Sequence, residues 1–214
     1  EVFPVPVITL DPTDVSCFGI NNGSIDATIT VGTAPYIYDW SNDAITEDIS
    51  NLSPGSYTLN VVDDNGCTAF ASTTITQPTA LQLSAADDHV NCFNGTDGAI
   101  DVTVGGGTLP YTYAWSNGAD TQDISGLTAG SYNVLVTDAL GCEISYATVI
   151  NQPDTLFIQY QVYNSTCTAA NGAIQVQVTG GTTPYSYEWS DESTGLNLNN
   201  VVNGFYTFIV SDAQ

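Results

Sequence analysis

The sequence contains no lysine and no arginine among its 214 residues, against 23 aspartate and glutamate residues, which gives a formal net charge of −23. Proteins bind nucleic-acid phosphates mainly through lysine and arginine, so this composition excludes nucleic-acid binding of that kind. It also removes ordinary salt bridges between side chains as a source of stability. We expect most carboxylates to form a solvated acidic surface that keeps the chain soluble and favours cations as partners.

Other features are missing as well. No apolar run reaches the length of about 18 residues that a membrane-spanning helix needs. No segment has the 3.6-residue apolar period of a helix, so we expect no helix longer than a single turn. No signal peptide is visible at Glu1, as expected of a mature protein or an internal fragment. The single histidine has no identifiable catalytic partner, so no catalytic residue is proposed.

One motif occurs three times and organises the chain. Pro-Tyr-x-Tyr-x-Trp-Ser is found at residues 35–41, 110–116 and 184–190. Its aromatic residues occupy every second position, so in a strand they all point to one face. We favour core packing over a carbohydrate-binding platform, because the tryptophan always holds one repeat position beside two inward tyrosines. The predicted core signature comprises Tyr36, Tyr38, Trp40, Tyr57, Tyr111, Tyr113, Trp115, Tyr132, Tyr185, Tyr187, Trp189 and Tyr206.

The cysteines and tryptophans recur with the same period. Cysteines lie at positions 17, 92 and 167, and tryptophans at positions 40, 115 and 189. A repeat of about 75 residues is long enough to bury its own core, which favours separate domains over a solenoid. We therefore predict three domains, at residues 1–77, 78–152 and 153–214.

The patterning within each repeat predicts the fold class. Short segments alternate apolar and polar residues, as Ile25, Ala27, Ile29 and Val31 do, and turn residues separate them. This indicates an all-β protein, a tandem array of three antiparallel β-sandwich domains. Each complete repeat closes with Gln-Pro almost directly before the next predicted strand, which indicates domains placed end to end with little hinge freedom.

A family resemblance rests on an ordered set of motifs: Cys-x-Gly, Gly-Thr-x-Pro-Tyr-x-Tyr-x-Trp-Ser, Leu-x-x-Gly-Ser-Tyr, Asp-x-x-Gly-Cys and Thr-Gln-Pro. This order resembles the SprB repeat of very large surface proteins of Bacteroidetes, with a weaker likeness to PKD-type Ig-like modules. The resemblance implies a secreted, adhesin-like array, exported by the type IX route and displayed on the cell surface, in some members moved along it during gliding. In the first repeat the matching positions are Cys17, Gly19, Pro35, Tyr36, Tyr38, Trp40, Gly55, Tyr57, Asp63, Gly66, Cys67 and Pro78.

The five cysteines suggest a disulfide pattern in an oxidising compartment. Because the spacing of 50 occurs twice, we expect disulfides within repeats, Cys17 with Cys67 and Cys92 with Cys142. Free buried thiols and a metal site are the alternatives. Cys167 is expected to be unpaired, because its partner would fall near position 217.

Two further kinds of site are suggested. Acidic residues cluster at Asp63 with Asp64 and at Asp87 with Asp88, which are candidate ligands for a structural calcium ion. The alternative is that they are solvated turn carboxylates, and no other cofactor is expected. The triplet around Thr155 resembles the Asp-Ser/Thr-apolar acceptor of Bacteroidetes O-glycosylation.

The function that follows is structural. We expect a non-enzymatic stalk or filament segment of a large secreted cell-surface adhesin, related to gliding motility. Its partners would be neighbouring repeats, surface glycans or other copies that join it into filaments. The alternative is a set of PKD-like accessory or carbohydrate-binding modules of a secreted hydrolase, which would expose a line of aromatic side chains.

Overall fold

A computed structural model describes residues 3–166 and 169–214 of the chain. Within these residues every regular element is a β-strand, and no helix is present. The all-β prediction is confirmed. Its physical basis is the two-residue apolar period, which puts one face of each strand on a core and the other in water.

The first repeat contains six strands in two sheets. The order in one sheet is β1-β2-β4 and in the other β3-β5-β6, with antiparallel pairing. If the strands are lettered A, B, C, E, F and G, the sheets are ABE and CFG. This is the order of an Ig-type sandwich without strand D. The strands are β1 (Val7–Thr13), β2 (Gly23–Val31), β3 (Ile37–Trp40), β4 (Ile49–Leu52), β5 (Gly55–Val62) and β6 (Thr68–Ile75).

The second repeat has the same strands and the same orders, β10-β8-β7 and β12-β11-β9. The third has the orders β13-β14-β16 and β15-β17, without a strand equivalent to β6 among the described residues. The strands of the second repeat are β7 (Gln82–Asp88), β8 (Gly98–Gly105), β9 (Thr112–Trp115), β10 (Ile124–Leu127), β11 (Gly130–Thr137) and β12 (Glu143–Ile150). Those of the third are β13 (Phe157–Tyr163), β14 (Gly172–Thr179), β15 (Ser186–Trp189), β16 (Leu198–Val201) and β17 (Phe208–Ser211).

The chain divides into two compact units by the proximity of its Cα atoms. The second repeat contributes residues to both, so the division does not follow the repeats. Domain boundaries at residues 77 and 152 stay a prediction. The first unit comprises residues 1–84, 102–122 and 133–146, and the second comprises residues 85–101, 123–132 and 147–214.

The repeated tryptophans lie in the core, on the third strand of each repeat. Trp40, Trp115 and Trp189 are only 2%, 5% and 3% exposed. Each indole N–H donates to the backbone carbonyl six residues further on, at distances of 2.9, 2.9 and 2.8 Å. A buried indole needs such an acceptor, because an unpaired N–H in the core costs free energy. The tyrosines of the same motif are half-buried, the first of each pair just before the strand and the second within it.

A second recurrent contact fixes the start of the fifth strand. The hydroxyl group of Tyr57 donates to the carbonyl oxygen of Ser53 at 2.9 Å, and Tyr57 is itself buried. This is the tyrosine corner that Ig-like sandwiches form before strand F. Tyr132 and Tyr206 form the same contact, with the carbonyl oxygens of Thr128 and Val202.

Candidate functional site: a cross-linked junction between repeats

The disulfide bond of the structure joins two different repeats. Cys17 of the first repeat is bonded to Cys142 of the second, with a Cα–Cα distance of 5.7 Å and a sequence separation of 125. Cys67 and Cys92 are free thiols, half-buried and exposed respectively. The predicted pairs Cys17–Cys67 and Cys92–Cys142 are therefore wrong, although a disulfide as such is present.

The length of the last strand explains why a bond within one repeat does not form. Cys67 directly precedes β6, whereas Cys17 lies two residues beyond Val15, whose N–H donates to the carbonyl of Thr76 at the far end of that strand. Nine residues of extended chain separate Cys67 from Thr76, a length of about 30 Å. A disulfide needs Cα atoms within about 7 Å, so the two cysteines of one repeat lie at opposite ends of its sandwich.

The loop that carries Cys17 is held in place by side-chain amides. The N–H of Ser16 donates to Oδ1 of Asn22 at 3.0 Å, and Nδ2 of Asn22 donates back to the Ser16 hydroxyl at 2.9 Å. The N–H of Gly19 donates to Oε1 of Gln77 at 3.0 Å. The loop is thereby tied to the Gln-Pro segment that leaves the first repeat.

The hairpin that carries Cys142 is organised by Asp138, which is 5% exposed. One carboxylate oxygen accepts the N–H of Thr108 at 2.8 Å, and the other accepts the N–H groups of Leu140 and Cys142, each at 2.9 Å. Burial by itself raises the pKa of Asp138. The backbone donors outweigh it, so the pKa is held below its ordinary value of 3.8 and the carboxylate stays charged.

The linker between these two repeats is fixed by close backbone contacts. The N–H of Gly107 donates to the carbonyl of Thr79 at 2.8 Å. A Cβ atom added to Gly106 would overlap the carbonyl oxygen of Ala80, so this turn accepts only glycine. These contacts fix the linker on the second repeat, and the disulfide joins that repeat to the first.

The other predicted site residues lie in separate places. Asp63 is buried and takes the structural role of Asp138 in its own hairpin, since it accepts the N–H groups of Thr33, Asn65 and Cys67. Asp64 is exposed. Within residues 3–166 and 169–214, no three histidine, cysteine, aspartate or glutamate side chains form a group that could hold a metal ion. Calcium binding at Asp63, Asp64, Asp87 and Asp88 stays a prediction.

Two further predictions concern single residues. Thr155 is exposed, just before β13, and its glycosylation stays a prediction. Cys167 lies outside the described residues, so its unpaired state stays a prediction. The inter-repeat bond is the feature that sequence reasoning missed. Its signal is present in the eight-residue strands that separate each second cysteine from the end of its repeat.

Three successive sets of strands in Ig-type order, each around a buried tryptophan, define the class as a tandem Ig-like repeat protein. The family model of the SprB repeat matches residues 9–44, 88–120 and 160–194, one segment in each repeat, so the resemblance to this family is confirmed. The repeats and the disulfide indicate an extracellular or cell-surface location.

A shorter similarity is found to the decoration protein of Escherichia phage T5. The two are 40% identical over 76 residues, which cover 29% of this chain and 46% of that protein. The match thus spans less than half of the relative's length.

Similar solved structures are multi-domain Ig proteins at low identity. They include the N-terminal eight Ig domains of Down Syndrome Cell Adhesion Molecule, with 14% identity, coverage of 88% of this chain and 29% of that chain, and a TM-score of 0.43. They also include Dpr2 Ig1-Ig2 in complex with DIP-Theta, with 12% identity, coverage of 94% and 83%, and a TM-score of 0.33. These scores are low, and the fold assignment stands on the strand order. Within the described residues, no helix is long and apolar enough to cross a membrane.

Proposed function

We propose that this chain is a non-enzymatic, tension-bearing spacer, a stalk or filament segment of a large secreted cell-surface adhesin. The observation that carries the proposal is the bond from Cys17 to Cys142. Export by the type IX route and a part in gliding motility are included in the proposal, and they rest on the SprB repeats alone.

The bond changes how a pulling force passes through the chain. Tension applied at the two ends enters along β1, reaches Cys17, crosses the disulfide to Cys142 and leaves along β12. The residues between the two cysteines form a closed loop that carries no covalent tension. The residues of this loop, which include Trp40 and Trp115, are therefore shielded from extension. A spacer on a cell surface gains a defined maximum length in this way.

The surface chemistry fits an extended display element. With a net charge of −23 and no cationic side chain, copies of the chain repel one another. The alternative, carbohydrate-binding modules of a hydrolase, loses its strongest candidates, because all three tryptophans are buried and hydrogen-bonded to the backbone. Because these indoles pack in the cores, they support a structural role for the repeats.

Single-molecule force spectroscopy tests the proposal. Pulled from its ends with the disulfide intact, the chain should release only residues outside the 17–142 loop. Reduction should add about 440 Å of contour length, at about 3.5 Å for each of the 125 residue steps closed by the bond.

Matched variants make the result specific. Cys142→Ser should extend like the reduced chain without any reductant, whereas Cys67→Ser should extend like the oxidised chain. Equal contour lengths in oxidised and reduced chains would reject the force-shielding role.

A further inference from the structure

We propose that Cys92 is the first half of a second inter-repeat disulfide. Its partner is a cysteine thiol presented by an Asp-x-x-x-Cys hairpin at the junction after the second repeat. The linkage pattern is then a ladder, in which the first cysteine of each repeat is bonded to the second cysteine of the next. This inference rests on junction geometry and stands whether or not the segment carries tension.

The loop that holds Cys92 is built like the loop that holds Cys17. The N–H of Asn91 donates to Oδ1 of Asp97 at 3.2 Å, and Nδ2 of Asn91 donates to Oδ2 of the same residue at 2.7 Å. The N–H of Asn94 donates to Oε1 of Gln152 at 3.0 Å, the distance found between Gly19 and Gln77. The two cysteines are therefore fixed in the same way relative to the end of their repeats.

The linker after the second repeat also repeats the first linker. The N–H of Gly181 donates to the carbonyl of Asp154 at 2.7 Å, as Gly107 does to Thr79 at 2.8 Å. A Cβ atom added to Gly180 would overlap the carbonyl oxygen of Thr155. The backbone of this junction thus has the course that brings Cys17 and Cys142 together.

Asp212 begins a turn like the Asp138 hairpin, on the side of the site opposite Cys92. Its Oδ2 accepts the N–H of Thr182 at 2.9 Å, as Asp138 accepts that of Thr108. The N–H of Ala213 donates to the carbonyl of Thr182 at 3.0 Å, as Ala139 does to Thr108 at 2.9 Å. Cys142 follows Asp138 by four residues. A cysteine at the same spacing after Asp212 is therefore directed to the position that faces Cys92.

The state of Cys92 agrees with this assignment. It is an exposed free thiol, whereas the bonded Cys17 is half-buried. Phe93 beside it is 46% exposed, as Phe18 is beside Cys17 at 56%.

The chemical step is a thiol–disulfide exchange with a small disulfide such as oxidised glutathione. The Cys92 thiolate attacks one glutathione sulfur, forms a mixed disulfide and releases one glutathione thiolate. The thiolate of the hairpin cysteine then attacks the Cys92 sulfur and releases the second. Two thiols lose two electrons and two protons in total, and one oxidised glutathione becomes two reduced ones.

The first test extends the chain by a copy of residues 141–153, appended after Gln214. This places a new cysteine four residues after Asp212 and adds a strand with the sequence of β12. The chain is refolded in a glutathione redox buffer, alkylated and mapped by mass spectrometry. Glutamyl endopeptidase and chymotrypsin serve for the digest, because a chain without lysine and arginine gives trypsin no site.

The ladder predicts that the appended cysteine is found bonded to Cys92, while Cys17–Cys142 is retained. A bond from the appended cysteine to Cys167, or a Cys92 that stays open to alkylation, overturns the proposal. In the Cys92→Ser variant of the extended chain, the appended cysteine should be alkylated. A variant that places serine at the appended position should leave Cys92 alkylated.

The second test uses the chain as it exists. A synthetic peptide with the sequence of residues 141–153 carries its cysteine as a mixed disulfide with thionitrobenzoate. The open edge of β17 and the cleft lined by Trp189, Tyr206 and Phe208 accept the strand. The docked peptide should label Cys92 about tenfold faster or more than Cys67, because docking raises its effective concentration. Equal labelling of the two thiols, or faster labelling of Cys67, counts against the assignment.

Discussion

Asp138 illustrates how one residue fixes a functional cysteine. Its carboxylate is buried and accepts three backbone N–H groups, one of them from Cys142 itself. Asp63 has equivalent contacts with the N–H groups of Thr33 and Cys67, and Asp212 accepts the N–H of Thr182. The side chain that shapes the hairpin also aims the cysteine at the neighbouring repeat.

Asp138→Asn should lower the free energy of unfolding by about 1.5–3 kcal/mol, the usual worth of hydrogen bonds to a charged group. The amide offers one acceptor oxygen, and its NH₂ group would face a backbone donor. Urea unfolding at neutral pH measures the change. Asp64→Asn is the matched control, because that side chain is exposed in the equivalent hairpin, and it should leave the midpoint unchanged.

The effect of this substitution should depend on pH with a defined sign. The pKa of Asp138 is lowered in the folded state, so its contribution is present above about pH 4 and is lost as pH falls through the folded value. The difference between wild type and Asp138→Asn should therefore shrink below about pH 4. A difference that stays constant down to pH 2 would assign the effect to shape and not to charge.

The sequence was sufficient to identify the buried tryptophans, whereas it did not identify which cysteines pair and most of the predicted core tyrosines are only half-buried. An aromatic residue at every second position leaves one choice of face, so the burial of Trp40 and its equivalents followed directly. Disulfide pairing depends on the distance between chain ends in space. The spacing of 50 suggested a closed repeat, whereas the eight residues of β6 carry the chain to the other end of the sandwich.

At the scale of elements, the fourth strand departs from simple alternation. Ile49 and Leu52 are both buried although they are three residues apart. Asn51 between them has a φ of 58°, and the register with β2 shifts at this point. The extra residue of such a bulge turns Leu52 back to the core. Sequence alternation alone does not predict this.

The last strand of a repeat completes its core. Ile75 of β6 and Ile150 of β12 are each 1% exposed. The first repeat buries a cluster that includes Ile25, Leu59 and Val61, whereas the described part of the third repeat buries Val176, Trp189 and Leu198. Among the described residues no strand pairs with the free edge of β17, and the third core is smaller.

Hydrogen exchange should resolve this difference. Amides of β14 and β17 should exchange more than about tenfold faster than those of β2 and β5, since a buried isoleucine contributes about 2–5 kcal/mol. Adding the peptide of residues 141–153 should slow exchange in the third repeat only. Equal protection of the first and third repeats would mean that the last strand is not needed for a stable core.

At the scale of the whole molecule, the expectation of separate domains has to include a covalent bond between two of them. Each repeat has its own buried tryptophan, as the 75-residue period indicated. The covalent bond nevertheless joins the first repeat to the second, so these two cannot separate without reduction. The short linkers were readable from the Gln-Pro segments, whereas the bond across the junction was not.

The charge of the whole chain predicts a strong response to salt. Twenty-three carboxylates and no cationic side chain leave repulsion that only mobile cations screen. Raising NaCl from about 10 mM to about 300 mM shortens the Debye length from about 30 Å to less than 10 Å, so the unfolding midpoint should rise by several degrees. Scanning calorimetry at fixed pH measures it. A midpoint that falls with salt would show that repulsion does not limit stability.

The predicted calcium site can be tested with the same measurement, the unfolding midpoint by scanning calorimetry. At equal ionic strength, general screening acts alike for CaCl₂ and MgCl₂, whereas a site with six to eight oxygen ligands favours calcium. If Asp63 with Asp64 or Asp87 with Asp88 contributes to such a site, calcium should raise the midpoint beyond magnesium. The excess should vanish in Asp64→Asn or Asp88→Asn. Coincident curves for the two cations would reject the calcium prediction and leave the acidic surface as a diffuse counter-ion layer.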